Sequence, residues 1–400
     1  MVCGLQHITE EAHGWVDLRG AGPIFPPPSD GNFYFMRLSV TDGKAGLFHH
    51  VALVDLECGN VLCSFFISTL QDKPGERHLF SLRMPERNTT CVTCEIEGCR
   101  YAKASFPRGD SPRLYLLECL GPQVPWTELR NASDHSLVEV LDDNSGLGEL
   151  IAVRAVPQVR TFLVPLPSGY KATVRLLLPP GLRDEEIIKY GLILHTDGAP
   201  GSQLVTEKFE LDWGAYLASK QNFIYAAADC RGSGGQGRRR ETELFRRLGN
   251  AEVEDQIEVV RYLKNSLPFV DSEKILIWGW GYGGYVAATA LAMDGSSLHC
   301  ALAVAPITSW FYHDAAFTER YLQSPRPEDN YIGYEKGDLL RRAENFDDKE
   351  FLLIHGTADG TNTVRIICSP DCRAGGITSE YRLSEHRIVF HIEHFSLSNF

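Results

Sequence analysis

No stretch of the sequence is long and apolar enough to cross a membrane. The opening residues, Met1-Val-Cys-Gly-Leu-Gln, lack the basic flank and apolar run of a secretion signal. Positive charge is scarce as well: 39 Lys and Arg stand against 52 Asp and Glu, a formal net charge of -13. So acidic a chain has no basic stripe to neutralise phosphates, which excludes nucleic acid as the expected partner. The densest basic run, Arg238-Arg239-Arg240 and then Arg246-Arg247, is interrupted by Glu241 and Glu243 and reads as a solvated helix with mixed charge pairs. Arg231-Gly-Ser-Gly-Gly-Gln-Gly237 lacks the Gly-Lys-Ser/Thr of a phosphate loop. Gly279, Gly281 and Gly284 match Gly-x-Gly-x-x-Gly, but the next strand ends in Ala305-Pro306, not in the acidic residue a dinucleotide site needs. Neither a nucleotide nor another cofactor is expected.

What is present describes an ordinary globular chain, with 44% hydrophobic and 23% charged residues. Its 400 residues exceed one compact core and predict two domains. Among 11 cysteines, Cys91, Cys94 and Cys99 crowd together, with Cys119 following. Neither Cys99 nor Cys119 has a close ligand partner downstream, so disulfides are favoured over a zinc site and no metal is expected. Two glycosylation sequons, Asn88-Thr-Thr90 and Asn131-Ala-Ser133, flank the cluster and favour an oxidising, extracellular setting. That setting conflicts with the missing signal, and the simplest expectation is that the chain lacks its natural N-terminus.

Residues 32–155 read as short strands between turns: Asn32 to Leu38, Val51 to Leu56, Arg113 to Cys119 and Leu137 to Leu141. A sandwich, barrel or propeller fragment fits that spacing. Beyond 155 a hairpin turning at Pro167-Ser-Gly169 opens an alternation of strands (191–195, 223–227, 274–278, 300–304, 351–354) and helices (207–219, 251–266, and one opening near Gly283). This is the rhythm of a doubly wound, mostly parallel sheet. The expected domains are therefore 1–155, all-β, and 156–400, α/β.

Lys274-Ile-Leu-Ile-Trp278 runs through Gly279-Trp-Gly281-Tyr-Gly283 into an alanine-rich helix. A strand, a sharp turn with small flanks and a helix make the setting of a nucleophile elbow, Gly-x-Ser-x-Gly. Here Gly281 stands where the serine belongs.

Around that elbow the chain carries Asp229-Cys-Arg-Gly-Ser-Gly-Gly-Gln-Gly, Arg246-Arg-Leu-Gly, Glu252-Val-Glu-Asp-Gln-Ile-Glu258, Val304-Ala-Pro-Ile, Thr318-Glu-Arg-Tyr-Leu, Arg342-Ala-Glu-Asn-Phe and His355-Gly-Thr-Ala-Asp359. In this order they resemble the catalytic domain of the dipeptidyl peptidase IV subfamily of prolyl oligopeptidase-type serine peptidases. The resemblance runs over most of residues 11–360. It implies an α/β-hydrolase domain preceded by the C-terminal part of an all-β propeller, with Cys91–Cys94 and Cys99–Cys119 as disulfides. Cys300 would pair with Cys368 or Cys372.

Carried over residue by residue, the resemblance makes Gly281 the emptied nucleophile position and the Tyr282 amide an oxyanion donor. Asp197 falls where active relatives place an oxyanion tyrosine, and Asp359 matches the triad acid. His391 and His394 are weak candidates for the base; Phe395, where glycine is expected, counts against the latter. Trp310, His313 and Phe317 stand where active relatives line the substrate pocket with a tryptophan and two tyrosines. The glutamates that hold a substrate amine belong to a propeller helix upstream of this chain. From Thr361 onward the tail resembles nothing in the family.

These losses place the chain beside the family's silent dipeptidyl-aminopeptidase-like branch. The resemblance then implies a membrane-anchored glycoprotein ectodomain that dimerises through the hydrolase domain and regulates a voltage-gated potassium channel. One rival is an active peptidase releasing Xaa-Pro dipeptides with another nucleophile, Ser233 or Ser309. The other is a truncated product without stable function, which the incomplete propeller, the foreign tail and an apparent skip near Cys63 would suit.

Overall fold

A computed structural model of the chain describes residues 32–42, 46–57, 63–83, 88–107, 113–185, 187–346, 349–356, 359, 378–383 and 386–393. Every paired strand among the described residues of its first half is antiparallel to its neighbour. Strands β1 (Asn32–Asp42) and β2 (Gly46–Glu57) form a hairpin; β3 (Cys63–Leu70), β4 (Lys73–Arg83) and β5 (Asn88–Cys91) form a three-stranded sheet; β6 (Ala102–Ser105), β7 (Leu114–Cys119), β8 (Trp126–Asn131) and β9 (Leu137–Asp142) form a four-stranded meander. Along β7 burial alternates, with Tyr115, Leu117 and Cys119 inward and Leu114 and Leu116 exposed. The inward residues join Leu79 and Ala102 in a small core. Disulfides Cys91–Cys94 and Cys99–Cys119 staple it.

Helix α1 (Ser145–Ala152) leads into a nine-stranded sheet. Its elements in chain order are β10 (Gln158–Pro165), β11 (Lys171–Leu178), β12 (Tyr190–His195), α2 (Trp213–Lys220), β13 (Ile224–Asp229), α3 (Arg238–Glu241), α4 (Ala251–Ser266), β14 (Val270–Trp280), α5 (Tyr282–Met293), β15 (Cys300–Val304), α6 (Ala315–Leu322), α7 (Tyr331–Lys336), β16 (Glu350–Gly356), β17 (Thr378–Leu383) and β18 (His386–Glu393). The spatial order is β10-β11-β13-β12-β14-β15-β16-β18-β17. The five central strands, β13 to β16 in that order, are parallel, and antiparallel strands flank them on both sides. β13 is buried at every residue, as a strand covered on both faces must be. α5 is buried almost all round, and its alanines let it press closely on the sheet. The chain leaves β12 for β13 on one side and returns to β14 on the other, so a crevice opens beyond the C-terminal ends of β12 and β14.

Two local expectations differ from the structure, and a third falls partly on residues outside those described. The helix expected from Glu207 begins only at Trp213, because the backbone before it is engaged elsewhere: Glu207 N–H donates to Gly75 O (2.9 Å) and Phe209 N–H to Leu120 O (2.7 Å). Asp212 then caps the helix, accepting from Ala215 N–H at 3.2 Å. The arginine run is not a solvated helix. Arg238, Arg240 and Glu241 are buried, and the Arg240 guanidinium donates to the carbonyls of Lys171 (2.7 Å), Asp229 (3.0 Å) and Cys230 (3.3 Å). Among the described residues Cys300 is a buried thiol without a disulfide partner; Cys368 and Cys372 lie outside them.

Candidate active site

Gly281 stands alone between β14 and α5 with φ +58° and ψ -113°, a conformation a residue with a Cβ adopts only at a cost. Its N–H donates to Val304 O (2.8 Å) and its carbonyl accepts from Tyr285 N–H (3.1 Å), which pins the turn to β15 and to the first turn of α5. The flanking glycines are dictated by contact. A Cβ on Gly279 would overlap the Gly283 backbone, and one on Gly283 would overlap the Thr196 carbonyl oxygen. A Cβ on Gly281 meets nothing within 4 Å. Trp280 beside it is 70% exposed. The turn is thus built like a pedestal whose top carries no side chain.

Tyr282 opens α5, and its hydroxyl is fixed from below. It donates to Glu252 Oε1 at 2.7 Å, while the same carboxylate accepts from Gly249 N–H (2.6 Å) and Asn250 N–H (3.2 Å). Burial pushes the Glu252 carboxyl above the usual carboxylate range against these hydrogen bonds. Burial, then the Glu252 charge, pushes the Tyr282 phenol well above its ordinary value, and Asp197 acts in the same direction. Glu252 is a positioning residue that sequence reasoning missed. An acid in the first turn of a helix reads as a dipole partner, and nothing local announces a tyrosine thirty positions away.

Trp310, His313 and Phe317 do come together. Trp310 stacks on Phe317 (6.2 Å between centroids, 12° between planes), and His313 meets both edge-on. Tyr282 completes the aromatic wall at 5.6 Å from Trp310. Trp310 Nε1 donates to Tyr285 Oη (3.2 Å), which donates to Gly337 O (2.7 Å). Asp314 accepts from Ala316 and Phe317 N–H (3.1 and 3.3 Å), starting α6 where it sets Phe317 against the tryptophan.

Asp197 lies just past β12 beside the elbow, its Cα 3.1 Å from a Cβ built on Gly283. One carboxylate oxygen accepts from Ala199 N–H at 3.2 Å, and burial raises the carboxyl above its ordinary value. A carboxylate there offers no donor to an oxyanion. Asp359 lies beyond β16, its N–H donating to Gly356 O (3.2 Å), with His355 Nε2 at 4.0 Å from Oδ2. His355 is a buried strand residue whose other ring nitrogen lies 2.9 Å from Gly356 O.

His391, one of the two candidate bases, is not delivered to the elbow. His391 sits on β18 opposite Leu353, and β18 is three strands from β14, about 14 Å at ordinary strand spacing. The strand order causes this: β15 and β16 stand between β14 and β18, although through Leu353 and Ala303 His391 is level in register with Gly279. His394 lies outside the described residues. The two alternative serines are buried: Ser233 is in the turn after β13, and Ser309 Oγ is bonded to Asp338 Oδ2 (3.2 Å). Of the sequon residues, Asn88 is exposed at the start of β5, and Asn131 Oδ1 accepts from the Ser133 hydroxyl (2.9 Å).

Residues 209–365 match the prolyl oligopeptidase family. The chain is 37% identical over 373 residues to dipeptidyl peptidase 4 of Sus scrofa, an alignment covering 88% of this chain and 48% of that protein. It is 35% identical over 302 residues to prolyl endopeptidase FAP of Homo sapiens, covering 74% and 39%. The crystal structure of Porphyromonas gingivalis dipeptidyl peptidase 4 superposes with a TM-score of 0.73 at 21% identity, covering 85% of this chain and 48% of that one. The chain spans about half the length of these relatives. The fold is an α/β-hydrolase domain preceded by the C-terminal part of an all-β propeller.

Proposed function

The chain belongs to the dipeptidyl peptidase IV subfamily of the prolyl oligopeptidase family, and from that membership we propose that it is a silent member, acting through protein contact and not through hydrolysis. The observation that carries the proposal is Gly281: the turn that raises a nucleophile is intact, the space above it is open, and no side chain fills it. Acyl transfer needs that nucleophile. In subtilisin, loss of the serine alone removes about 2 × 10⁶ of the rate. Asp197 supports the same reading, since a missing oxyanion donor costs about 2.7–4 kcal/mol. The partner side of the proposal, a homodimer formed through the hydrolase domain and a voltage-gated potassium channel as the regulated protein, rests on the resemblance to the silent branch.

A second reading is the dipeptidyl peptidase activity that the relatives' names state. It is supported by 37% identity and requires a nucleophile other than residue 281. Hydrolysis of a Gly-Pro-amide by the parent, Gly281→Ser, and Gly281→Ser with Asp197→Tyr separates the two. The proposal expects no turnover by the parent above buffer. Turnover by the parent abolished by a serine-directed inhibitor would overturn it in favour of the second reading.

A further inference from the structure

The geometry points to a redox-gated zinc site: reduction of the Cys91–Cys94 disulfide frees two thiolates that, with His78, bind one zinc ion. A ring nitrogen of His78 and the two sulfurs lie within 4.8 Å of one another. His78 is buried on β4, two residues from Glu76 and therefore on the same face of the strand. Its Nε2 is 3.0 Å from Glu76 Oε2, and its Nδ1 is 3.1 Å from Thr93 Oγ1. Thr93 Oγ1 already accepts the Leu79 N–H (3.0 Å), so its own proton is available to Nδ1. The consistent assignment gives Nε2–H to the carboxylate and leaves on Nδ1 a lone pair that accepts the Thr93 hydroxyl, a hydrogen bond that zinc would replace. A carboxylate behind an imidazole is the arrangement that orients a histidine toward a metal.

The sulfur side is prepared in the same way. Cys91-Val92-Thr93-Cys94 forms a tight turn in which Cys94 N–H donates to Cys91 Sγ at 3.1 Å, a contact that stabilises a thiolate. The turn is tied to β4 by Val92 N–H donating to Leu79 O (2.7 Å), so its backbone stays in place when the sulfurs part. Zinc takes thiolate sulfur at about 2.3 Å and imidazole nitrogen at about 2.0–2.1 Å, which requires the sulfurs to separate and the ring to approach by roughly 1 Å. Both cysteines are half-buried, so water can supply the fourth position. Two thiolates and a neutral imidazole make the zinc complex neutral overall, which suits a half-buried site. The step balances with a dithiol or phosphine reductant. Two electrons and two protons convert the disulfide to two thiols, the reductant is oxidised, and zinc displaces the two thiol protons.

The test is zinc stoichiometry by chelator competition on the full chain with and without a phosphine reductant. The reduced parent is expected to hold one zinc more than the double variant Cys91→Ser, Cys94→Ser, and more than the oxidised parent. His78→Asn keeps polar partners for Thr93 and Glu76 and guards against a folding artefact; it should weaken zinc binding at least tenfold, and Glu76→Gln by about tenfold. Equal zinc content in the reduced parent and the cysteine double variant would overturn the site. So would unchanged affinity in His78→Asn, which would leave a structural disulfide beside a buried histidine.

Discussion

Gly281 and Gly283 stand two residues apart and respond to an added methyl group in opposite ways. Gly281→Ala meets open space and pays only for its backbone angle, about 1–3 kcal/mol. Gly283→Ala drives a methyl into the Thr196 carbonyl and should cost more; urea midpoints of the two variants give the comparison. Tyr282→Phe strips one donor from the buried Glu252 carboxylate and should destabilise by about 1–3 kcal/mol. His195, stacked 4.3 Å from Trp278, has its pKa lowered to about 4, first by burial. The unfolded chain then binds a proton that the folded one refuses, so this residue's contribution falls as pH drops from about 6.5 towards 4. Asp229, raised to about 6 by burial, acts in the opposite sense over pH 6 to 4. Comparing parent with His195→Gln isolates the histidine: urea unfolding at pH 7 and pH 5 should show a smaller acid loss in the variant. At this scale the sharp turn of the elbow and its close-packed glycines were legible because a motif fixes their places. Glu252 and Arg240 were not, because what they hold lies far away in the sequence.

Elements read clearly where burial alone decides them. Each central parallel strand carries a short apolar run, such as Ile275-Leu-Ile-Trp278 in β14, and α4 lies where its pattern puts it. Short elements set by side-chain capping or by contact with the other half of the molecule did not show; α6 and the late start of α2 belong here. Asp212→Ala should cost about 1 kcal/mol of stability, read by thermal unfolding, since it removes the cap that starts α2. The segment before that helix is the seam between the two halves. Gln203 Nε2 donates to Pro74 O (2.7 Å), and Glu207 and Phe209 follow with their backbones. A Cβ on Gly121 would overlap the Glu207 carbonyl, so Gly121→Ala should speed amide hydrogen exchange across 203–210 while leaving α4 protected.

For the whole molecule, the four-stranded meander of the antiparallel half ends in an edge strand, β9, among the described residues. β9 is exposed at every residue, with Leu137, Val138, Val140 and Leu141 along an edge that no other strand among the described residues pairs with, and Leu114 and Leu116 are exposed nearby. An open apolar edge recruits strands. The parent should associate with rising concentration in sedimentation, and Val138→Lys with Val140→Lys should reduce that association. The passage from antiparallel sheets to a mixed, mostly parallel one was legible from the change in rhythm near residue 155. The place of β18 was not, since a strand's sequence does not say which neighbour it pairs with, and that place decides how far His391 lies from the elbow.

The central claim is that the fold of a serine peptidase persists here around an empty nucleophile position. Intact-mass spectrometry after exposure to a fluorophosphonate tests it most directly. The parent should gain no adduct mass, at any serine, under conditions that label an active relative to completion. One adduct per parent chain, mapped to a serine by peptide digestion, would contradict the account and identify the nucleophile it had overlooked.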